Sequence, residues 1–136
     1  MRYFLAKTDP ETYSIDQLEK EKRTSWDGVN NPQAVRAIRE MQPGDKVFIY
    51  HSGGLSAVVG LAKVASEPKD DPKNPKSAVA DFEYHGRIDP PVTLAEIKQS
   101  KLFDDWALVR QGRLSTMAAP EKFVEWMRKK NPKAKI

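Results

Sequence analysis

The sequence predicts an α+β fold in which short helices surround a small, curled, mixed β-sheet. About five apolar stretches of strand length are interspersed with helical segments, without the regular βαβ alternation of a parallel sheet. Two capping boxes of the form S/T-x-x-E/Q, at Ser14–Gln17 and Thr93–Glu96, mark helix starts. A chain of 136 residues can bury one core but is too short for two domains. We therefore expect a single domain over 1–136.

The first third of the chain predicts two strands separated by two helices. Tyr3–Ala6 is compact and apolar, which predicts a strand. The Ser14 capping box opens a helix that we expect to end near Lys22. Apolar residues recur at helical spacing over 32–41 and predict an amphipathic helix. Lys46–Ser52 is apolar on both alternating faces, which predicts a strand buried on two sides.

The middle of the chain predicts a hairpin followed by a loop. Gly53-Gly54 ends the strand, and Leu55–Val64 is rich in Val and Ala, so a second strand follows after a short link. Gly60 inside that strand indicates a bulge or a bend that lets the sheet curl. Residues 67–77 are mainly Pro, Lys, Asp and Asn, for which we predict a solvated loop without chemistry.

The last third predicts two further strands and two helices. Ala78–Tyr84 alternates as a strand with one wet face, and Pro90-Pro91 is expected to end that region. A helix runs from Thr93 to about Lys101. Trp106–Val109 is predicted to be a short strand. Pro120 is predicted to be the first residue of a final helix with a basic last turn.

The composition is that of a globular domain, with 39% hydrophobic and 31% charged residues. The chain has no Cys, which excludes disulfides, thiol nucleophiles and Cys-based metal sites. No apolar run is long enough to span a bilayer, and the N-terminus lacks the shape of a signal peptide. We expect a cytoplasmic monomer with no membrane partner, no metal and no cofactor.

The formal net charge of +4 comes from the C-terminus. Five basic residues and no acidic residue lie in the last nine positions, and the rest of the chain carries 18 basic against 19 acidic residues. The charge therefore predicts a basic tail from about residue 129, rather than a basic domain. Any phosphate contact must come from that tail or from a local cluster.

The stretch Trp26–Gln33 has the composition of a base-binding loop. Trp26 offers a flat π face, and Gly28 lets the backbone come close to a ligand. The side-chain amides of Asn30 and Asn31 offer both donors and acceptors. This set of groups is suited to holding a flat molecule with polar edges, such as a nucleobase.

A structural interpretation fits the same stretch. Trp26 would then be a core residue, Asp27-Gly28 a turn, Asn31 a helix N-cap and Pro32 the first helical residue. Taken alone, the stretch favours this structural interpretation.

Catalytic patterns are absent from the sequence. His51 and Ser52 are adjacent in a strand, so their side chains point to opposite faces and form a poor nucleophile–base pair. The chain lacks Gly-x-Ser-x-Gly, His-x-x-x-His, phosphate-loop and dinucleotide motifs. Ligand binding is therefore the class of function that the sequence favours. Trp26, Tyr50 and Trp106 are candidate ring faces for stacking, although Trp106 is predicted to be a core residue.

Short segments spread over nearly the whole chain resemble the EVE domain family of the PUA-like superfamily, which includes thymocyte nuclear protein-like sequences. Each segment is short, but together they follow the family's order. The segments are Tyr3–Pro10 with Tyr13–Ile15, Trp26–Val29 with Asn31 and Gln33–Ala34, Met41–Asp45, Phe48–Ser52, Trp106–Ser115 and Glu125–Trp126.

The resemblance implies a PUA-like small mixed β-barrel with short helices packed around it. It also implies a pocket for a modified base, such as a methylated cytosine or adenine, in DNA or RNA. The Trp26 ring would face this open, base-sized cavity, and the end of strand 46–52 would form its floor. By position, the base-binding residues would be Trp26, Asp27, Gly28, Val29, Asn30, Asn31, Tyr50, His51, Ser52, Arg113, Leu114 and Ser115. The phosphate-binding residues would be Lys7, Arg110 and Arg113.

The sequence departs from the family pattern at three places. Asn30 replaces a usual Arg, Pro32 replaces a common Tyr, and Thr116–Ala118 stands where Val-x-Pro is usual. The predicted function is a non-catalytic reader of a modified nucleobase in nucleic acid. The alternatives are a small hydrolase of modified nucleosides, suggested by the related ASCH domains with Lys7 and His51, and an adaptor that binds through its basic tail.

Overall fold

The computed structural model describes residues 1–136 as seven strands and five helices. The strands are β1 (Tyr3–Thr8), β2 (Arg23–Trp26), β3 (Lys46–His51), β4 (Ala57–Val64), β5 (Lys69–Asp71), β6 (Asn74–Thr93) and β7 (Thr116–Ala118). The helices are α1 (Ile15–Glu21), α2 (Pro32–Arg39), α3 (Leu94–Gln99), α4 (Ala107–Arg110) and α5 (Glu121–Lys130). No helix is both long enough and apolar enough to cross a bilayer.

The strands form one mixed sheet in the order β2-β6-β4-β3-β1-β7, with β5 paired to β6. Only the β1–β3 pair is parallel. The end strands β2 and β7 do not pair with each other, yet α2 packs against both β6 and β7. The sheet is therefore curved into an incomplete barrel whose open side α2 partly covers, which agrees with the predicted α+β class.

The predicted buried strand is confirmed at the centre of the sheet. Val47, Phe48, Ile49 and Tyr50 of β3 are each at most 3% exposed. Phe48 packs edge-on against Phe123 of α5, with 5.3 Å between ring centroids. The two faces of β3 are thus covered by different layers, as expected for a strand without polar alternation.

Both predicted capping boxes are present. The backbone N–H of Gln17 donates to Ser14 Oγ at 3.2 Å, and the backbone N–H of Ser14 donates to Gln17 Oε1 at 3.1 Å. Thr93 and Glu96 form the same reciprocal pair at the start of α3. Local side chains therefore satisfy the free N–H groups that begin these helices.

The predicted hairpin is also confirmed, because β3 and β4 pair as antiparallel neighbours. The register shifts next to Gly60, and a Cβ built on Gly60 would lie 2.3 Å from Cδ1 of Ile15. Glycine is needed here because α1 approaches the strand closely.

Two predictions about the middle of the chain are wrong. The expected loop 67–77 contains β5 and the start of β6, which pair as a hairpin. Pro90-Pro91 does not end the strand, because β6 continues to Thr93. In the pairing of β4 with β6, the prolines lie between the pairs Gly60–Arg87 and Val58–Val92, where the register shifts. The missing N–H groups of the prolines are therefore not needed for hydrogen bonds between the strands.

The predicted strand Trp106–Val109 is wrong, since α4 occupies Ala107–Arg110. A four-residue apolar run does not distinguish strand from helix by periodicity. The short strands β2 and β7 were not predicted. Pro120 is the N-cap of α5 rather than its first helical residue.

The C-terminal residues fold back on the sheet. Lys129 and Lys130 belong to α5, and the segment after Asn131 packs against the core through the partly buried Ala134 and Ile136. Lys46 Nζ donates to the carbonyl oxygen of Lys135 at 2.9 Å. The basic tail is therefore held beside the start of β3.

Candidate functional site

A cavity of about 430 Å³ opens at the seam between β2 and the β1–β7 end of the sheet. Its size is within the range of about 300–1,000 Å³ that small-molecule pockets occupy. Most of its lining is polar, and Lys7 and Asp27 are its charged residues. The lining residues are Lys7, Thr8, Thr12, Tyr13, Thr24, Ser25, Trp26, Asp27, Gly28, Val29 and Ser115.

Trp26 forms one wall of this cavity but is only 8% exposed. Its ring stacks on Phe82 with 5.0 Å between centroids and 24° between planes. Tyr13 packs edge-on against it at 6.1 Å. The aromatic body of Trp26 therefore belongs to the core, in agreement with the structural interpretation, while its remaining surface faces the cavity.

The indole N–H of Trp26 is an unused donor. No hydrogen bond is formed by Trp26 Nε1, although Trp106 Nε1 donates to the carbonyl of Ala118 at 2.9 Å. No unpartnered polar side-chain atom in the protein is fully buried. The Trp26 N–H is thus accessible from outside the core, and the cavity is the opening that Trp26 lines.

The loop after β2 places Asp27 at the cavity. Gly28 has φ +75°, a conformation that favours glycine, and turns the chain directly after Asp27. The hydroxyl of Ser77 donates to the carbonyl of Val29 and fixes the loop to β6. The Asp27 side chain is exposed and forms neither an ion pair nor a hydrogen bond within the protein.

Lys7 supplies the positive charge of the cavity. Its Nζ donates to the carbonyl of Gly112 at 3.0 Å and lies 5.4 Å from the centroid of the Tyr50 ring. Desolvation by burial holds the pKa of Lys7 below its ordinary value. The backbone N–H of Lys7 also donates to the carbonyl of Ser115 at 2.7 Å, which brings Ser115 to the same wall.

Hydroxyl groups complete the lining, and several hold the walls together. Thr8 Oγ1 donates to the carbonyl of Tyr13 at 2.8 Å, and Ser25 Oγ donates to Asp81 at 2.8 Å. Tyr13 Oη donates to Glu21 at 2.8 Å, and burial raises the pKa of Tyr13 above its ordinary value. These bonds join the Tyr13 segment to β1 and α1, and they join β2 to β6.

Six of the fourteen predicted base-binding and phosphate-binding residues line this cavity. Tyr50 and Leu114 are buried, at 3% and 2% exposure, and do not line it. The residues that line it are Lys7, Trp26, Asp27, Gly28, Val29 and Ser115.

The predicted floor formed by the end of β3 is absent, because His51 and Ser52 do not line the cavity. His51 lines a separate cavity of about 310 Å³ with Asp16 and Arg87. Its Nε2 accepts a hydrogen bond from the backbone N–H of Ile15 at 3.1 Å. Neighbouring residues of a strand point to opposite faces, so Tyr50 and His51 could not both point to one side.

The remaining predicted residues do not line the cavity. Asn31 is the N-cap of α2, and its Oδ1 accepts from the backbone N–H groups of Gln33 at 2.8 Å and Ala34 at 3.2 Å. Asn30 and Arg113 are exposed. Arg110 lies 3.5 Å from Asp105 in an exposed ion pair.

Sequence reasoning missed five lining residues: Thr8, Thr12, Tyr13, Thr24 and Ser25. All five carry a hydroxyl group, and isolated hydroxyls occur throughout any polar surface, so the residue type alone does not indicate a binding site. Recognition of β2 would have found two of them, since that strand ends at Trp26.

The chain matches a known protein family and has related proteins of similar sequence. The family model of the EVE domain matches residues 2–130. Thymocyte nuclear protein 1 of Rattus norvegicus is 31% identical over 124 residues, which covers 71% of this chain and 55% of the rat protein. The chain thus spans about half the length of that relative.

Solved structures share the whole fold. A hypothetical protein from Leishmania major superposes with a TM-score of 0.90 at 30% identity, covering 97% of this chain and 95% of that one. Human THYN1, solved in complex with 5-methylcytosine containing DNA, superposes with a TM-score of 0.87 at 23% identity, covering 98% and 99%. These matches confirm the predicted PUA-like α+β fold.

Proposed function

The chain belongs to the EVE domain family, and on that premise we propose that it is a non-catalytic nucleic-acid-binding domain. A modified nucleobase would occupy the cavity beside Trp26. The observation that carries the proposal is this cavity of about 430 Å³, lined by part of an indole, a carboxylate, an ammonium and hydroxyls. A few polar groups that converge on a concave site are what orient a small flat ligand.

The human THYN1 complex supports the choice of ligand. That protein was solved with DNA containing 5-methylcytosine, and its fold covers nearly all of this chain. A methylated cytosine in DNA is therefore the first ligand to test.

The energetics favour a base that is already unpaired or weakly paired. Extrusion of a base from a duplex costs a few kcal/mol. Stacking on an exposed aromatic ring contributes about 1–3 kcal/mol per base, but Trp26 is mostly covered by Phe82 and Tyr13. Hydrogen bonds to the base edge and contacts to phosphates must therefore supply much of the binding free energy.

The geometry does not favour the alternative of a nucleoside hydrolase. Lys7 and His51, which suggested it, line different cavities. Desolvation holds the pKa of His51 below its ordinary value, and Nε2 is occupied by the Ile15 N–H. No nucleophile–base pair converges on the cavity beside Trp26.

The experiment that tests the proposal measures binding of single-stranded oligonucleotides that differ only in one 5-methylcytosine. One methyl group in a fitted pocket discriminates by about 1–3 kcal/mol, so a preference of about 10-fold to 200-fold is expected. Thr12→Trp would fill the cavity from its exposed rim and should abolish the preference. Gln111→Trp is the control, because Gln111 is exposed and does not line the cavity.

The proposal fails if the wild-type protein binds both oligonucleotides equally and weakly. It also fails if Thr12→Trp retains the full preference. Trp26→Ala is a poor probe, because removal of this buried ring would destabilise the fold as well as the site.

A further inference from the structure

Three side chains at the cavity have hydrogen-bonding capacity that the protein leaves unused. The Trp26 N–H has no acceptor, and the Asp27 carboxylate has no donor or counter-ion. Lys7 uses one of its three N–H donors on the carbonyl of Gly112. Every other charged side chain of the protein lies outside this cavity.

The directions of these groups are fixed by their chemistry. An ionised carboxylate only accepts hydrogen bonds, whereas an indole N–H and an ammonium only donate them. A base that satisfies all three groups must present an amine toward Asp27 and acceptor atoms toward Trp26 and Lys7. Cytosine has this pattern, with its N4 amine as donor and its O2 as acceptor.

Thymine lacks the pattern although it carries the same methyl group at C5 as 5-methylcytosine. Its O4 is an acceptor in place of the N4 amine. An O4 atom placed against the Asp27 carboxylate would pair two acceptors and leave both without a donor. A site that is built to bind an amine rejects the analogue that lacks it more strongly than a shape mismatch alone would do.

We infer that Asp27 is the specificity-determining residue of this cavity, and that the cavity selects an amine-bearing base over a keto base of the same size and methylation. The inference rests on the proposed function, because it concerns the same site. Two features fix the backbone of the loop that carries Asp27: the turn at Gly28 and the bond from Ser77 to the carbonyl of Val29.

The test compares single-stranded oligonucleotides that carry 5-methylcytosine, thymine or an abasic site at one position. The wild-type protein should bind the 5-methylcytosine strand at least about 10-fold more tightly than the thymine strand, the discrimination expected of a specific base-edge contact. Binding to the abasic strand reports the phosphate contribution alone. Asp27→Asn should reduce the ratio to near unity, because an amide can donate to O4 as well as accept from an amine.

Asp104→Asn is the matched control, since Asp104 is exposed and outside the cavity. It removes the same charge and should leave the ratio unchanged. Asp27→Ala is a second variant that removes the acceptor without adding a donor, and it should weaken 5-methylcytosine binding while leaving thymine binding unchanged or improved.

The outcomes separate this inference from the proposed function. Equal binding of 5-methylcytosine and thymine, with both stronger than cytosine, would overturn the role of Asp27 and leave a methyl-reading cavity in place. An unchanged ratio in Asp27→Asn would overturn it as well. Insensitivity of all binding to methylation and to Thr12→Trp would instead reject the proposed function itself.

Discussion

The backbone N–H of Ile15, the first residue of α1, donates a hydrogen bond to Nε2 of His51 at 3.1 Å. Since Nε2 accepts, the neutral imidazole carries its proton on Nδ1. Desolvation lowers the pKa of His51 from its ordinary value of 6.5; Asp16 opposes this shift and Arg87 adds to it. A proton on Nε2 would face the Ile15 N–H and the positive end of the helix.

The first prediction is that the protein loses stability in mild acid. Because the folded chain holds the pKa of His51 below 6.5, the unfolded chain binds a proton more readily in that range. The free energy of unfolding should be highest above pH 6.5 and fall as the pH drops below it. Urea unfolding between about pH 7.5 and 5.5 measures this slope.

His85 contributes to the same slope and provides the control. Desolvation and the neighbouring Lys46, Lys135 and Lys63 also lower its pKa. His51→Gln and His85→Gln should each flatten the pH dependence in part, and the double variant should remove most of it. A His51→Gln protein that keeps the whole slope would contradict the role assigned to the Ile15–His51 bond.

A second prediction concerns the close approach of α1 to β4. A Cβ on Gly60 would lie 2.3 Å from Cδ1 and 2.8 Å from Cγ1 of Ile15. Gly60→Ala should therefore destabilise the protein by about 1–3 kcal/mol through overpacking. Gly112→Ala is the control, because nothing lies within 4 Å of a Cβ at Gly112.

A double-mutant cycle shows whether Ile15 is the cause. Ile15→Val removes Cδ1 and should recover part of the loss in the Gly60→Ala background, since the two residues are in contact. Strictly additive losses would place the strain elsewhere, for example at the carbonyl oxygen of Gly86, which lies 3.1 Å from the same Cβ position.

A third prediction separates the structural role of Asn31 from a role in binding. Asn31 Oδ1 caps α2 through two backbone N–H groups and does not line the cavity. Asn31→Ala should cost about 0.5–2 kcal/mol of stability, whereas Asn31→Ser should keep most of the cap. The preference for a modified oligonucleotide, measured well below the melting temperature, should survive both changes. Loss of that preference in the stable Asn31→Ser protein would show that Asn31 takes part in binding.

The sequence predicted what local chemistry determines. The capping boxes at Ser14 and Thr93 and the buried strand around Phe48 are encoded by neighbouring residues, and the structure has all three. The short strands β2 and β7 could not be predicted in this way, because they are stabilised by pairing with distant segments. The continuation of β6 through Pro90 and Pro91 could not be predicted locally, because only the register of β6 against β4 shows that no donor is needed there.

The candidate site was predicted only in part for the same reason. Trp26–Val29 and Lys7 were found from composition and resemblance, and they meet at the cavity. The end of β3 was assigned to the floor because it also resembles the family pattern. The structure instead turns His51 toward Ile15, a contact between residues 36 positions apart that no local pattern reveals.

A fourth prediction distinguishes the N–H group of Trp26 from its ring. Trp26→Phe removes the indole donor but keeps an aromatic ring against Phe82. It should therefore destabilise the protein much less than Trp26→Ala, for which a loss of about 3–5 kcal/mol is expected. Oligonucleotide binding should nevertheless weaken in Trp26→Phe, because one base-edge donor is lost. Unchanged affinity for the modified oligonucleotide in a folded Trp26→Phe protein would show that the indole N–H contacts no base.

The last prediction concerns the C-terminal lysines and tests the tail-binding alternative. Lys133 and Lys135 are exposed, and the carbonyl of Lys135 is bound to Lys46 at the start of β3. Lys46, which holds the tail, lies four residues before Tyr50 in β3, and Tyr50 pairs with the cavity residue Lys7. About 13 Å of strand therefore separates the tail from the cavity. These lysines can therefore contact phosphates of a long strand without contacting the base in the cavity.

Replacement of both lysines with glutamine should weaken binding of modified and unmodified oligonucleotides by the same factor. The slope of log affinity against log salt should become shallower by up to about two units, because each lost phosphate contact removes about one. Lys73→Gln with Lys76→Gln removes the same charge from another exposed part of the chain and serves as the control. The contradicting result is that the tail variant abolishes binding, or removes the preference for the modified base, while the control does not. The tail would then be the binding site, because a cavity at the opposite end of β1 and β3 would keep its preference without those charges.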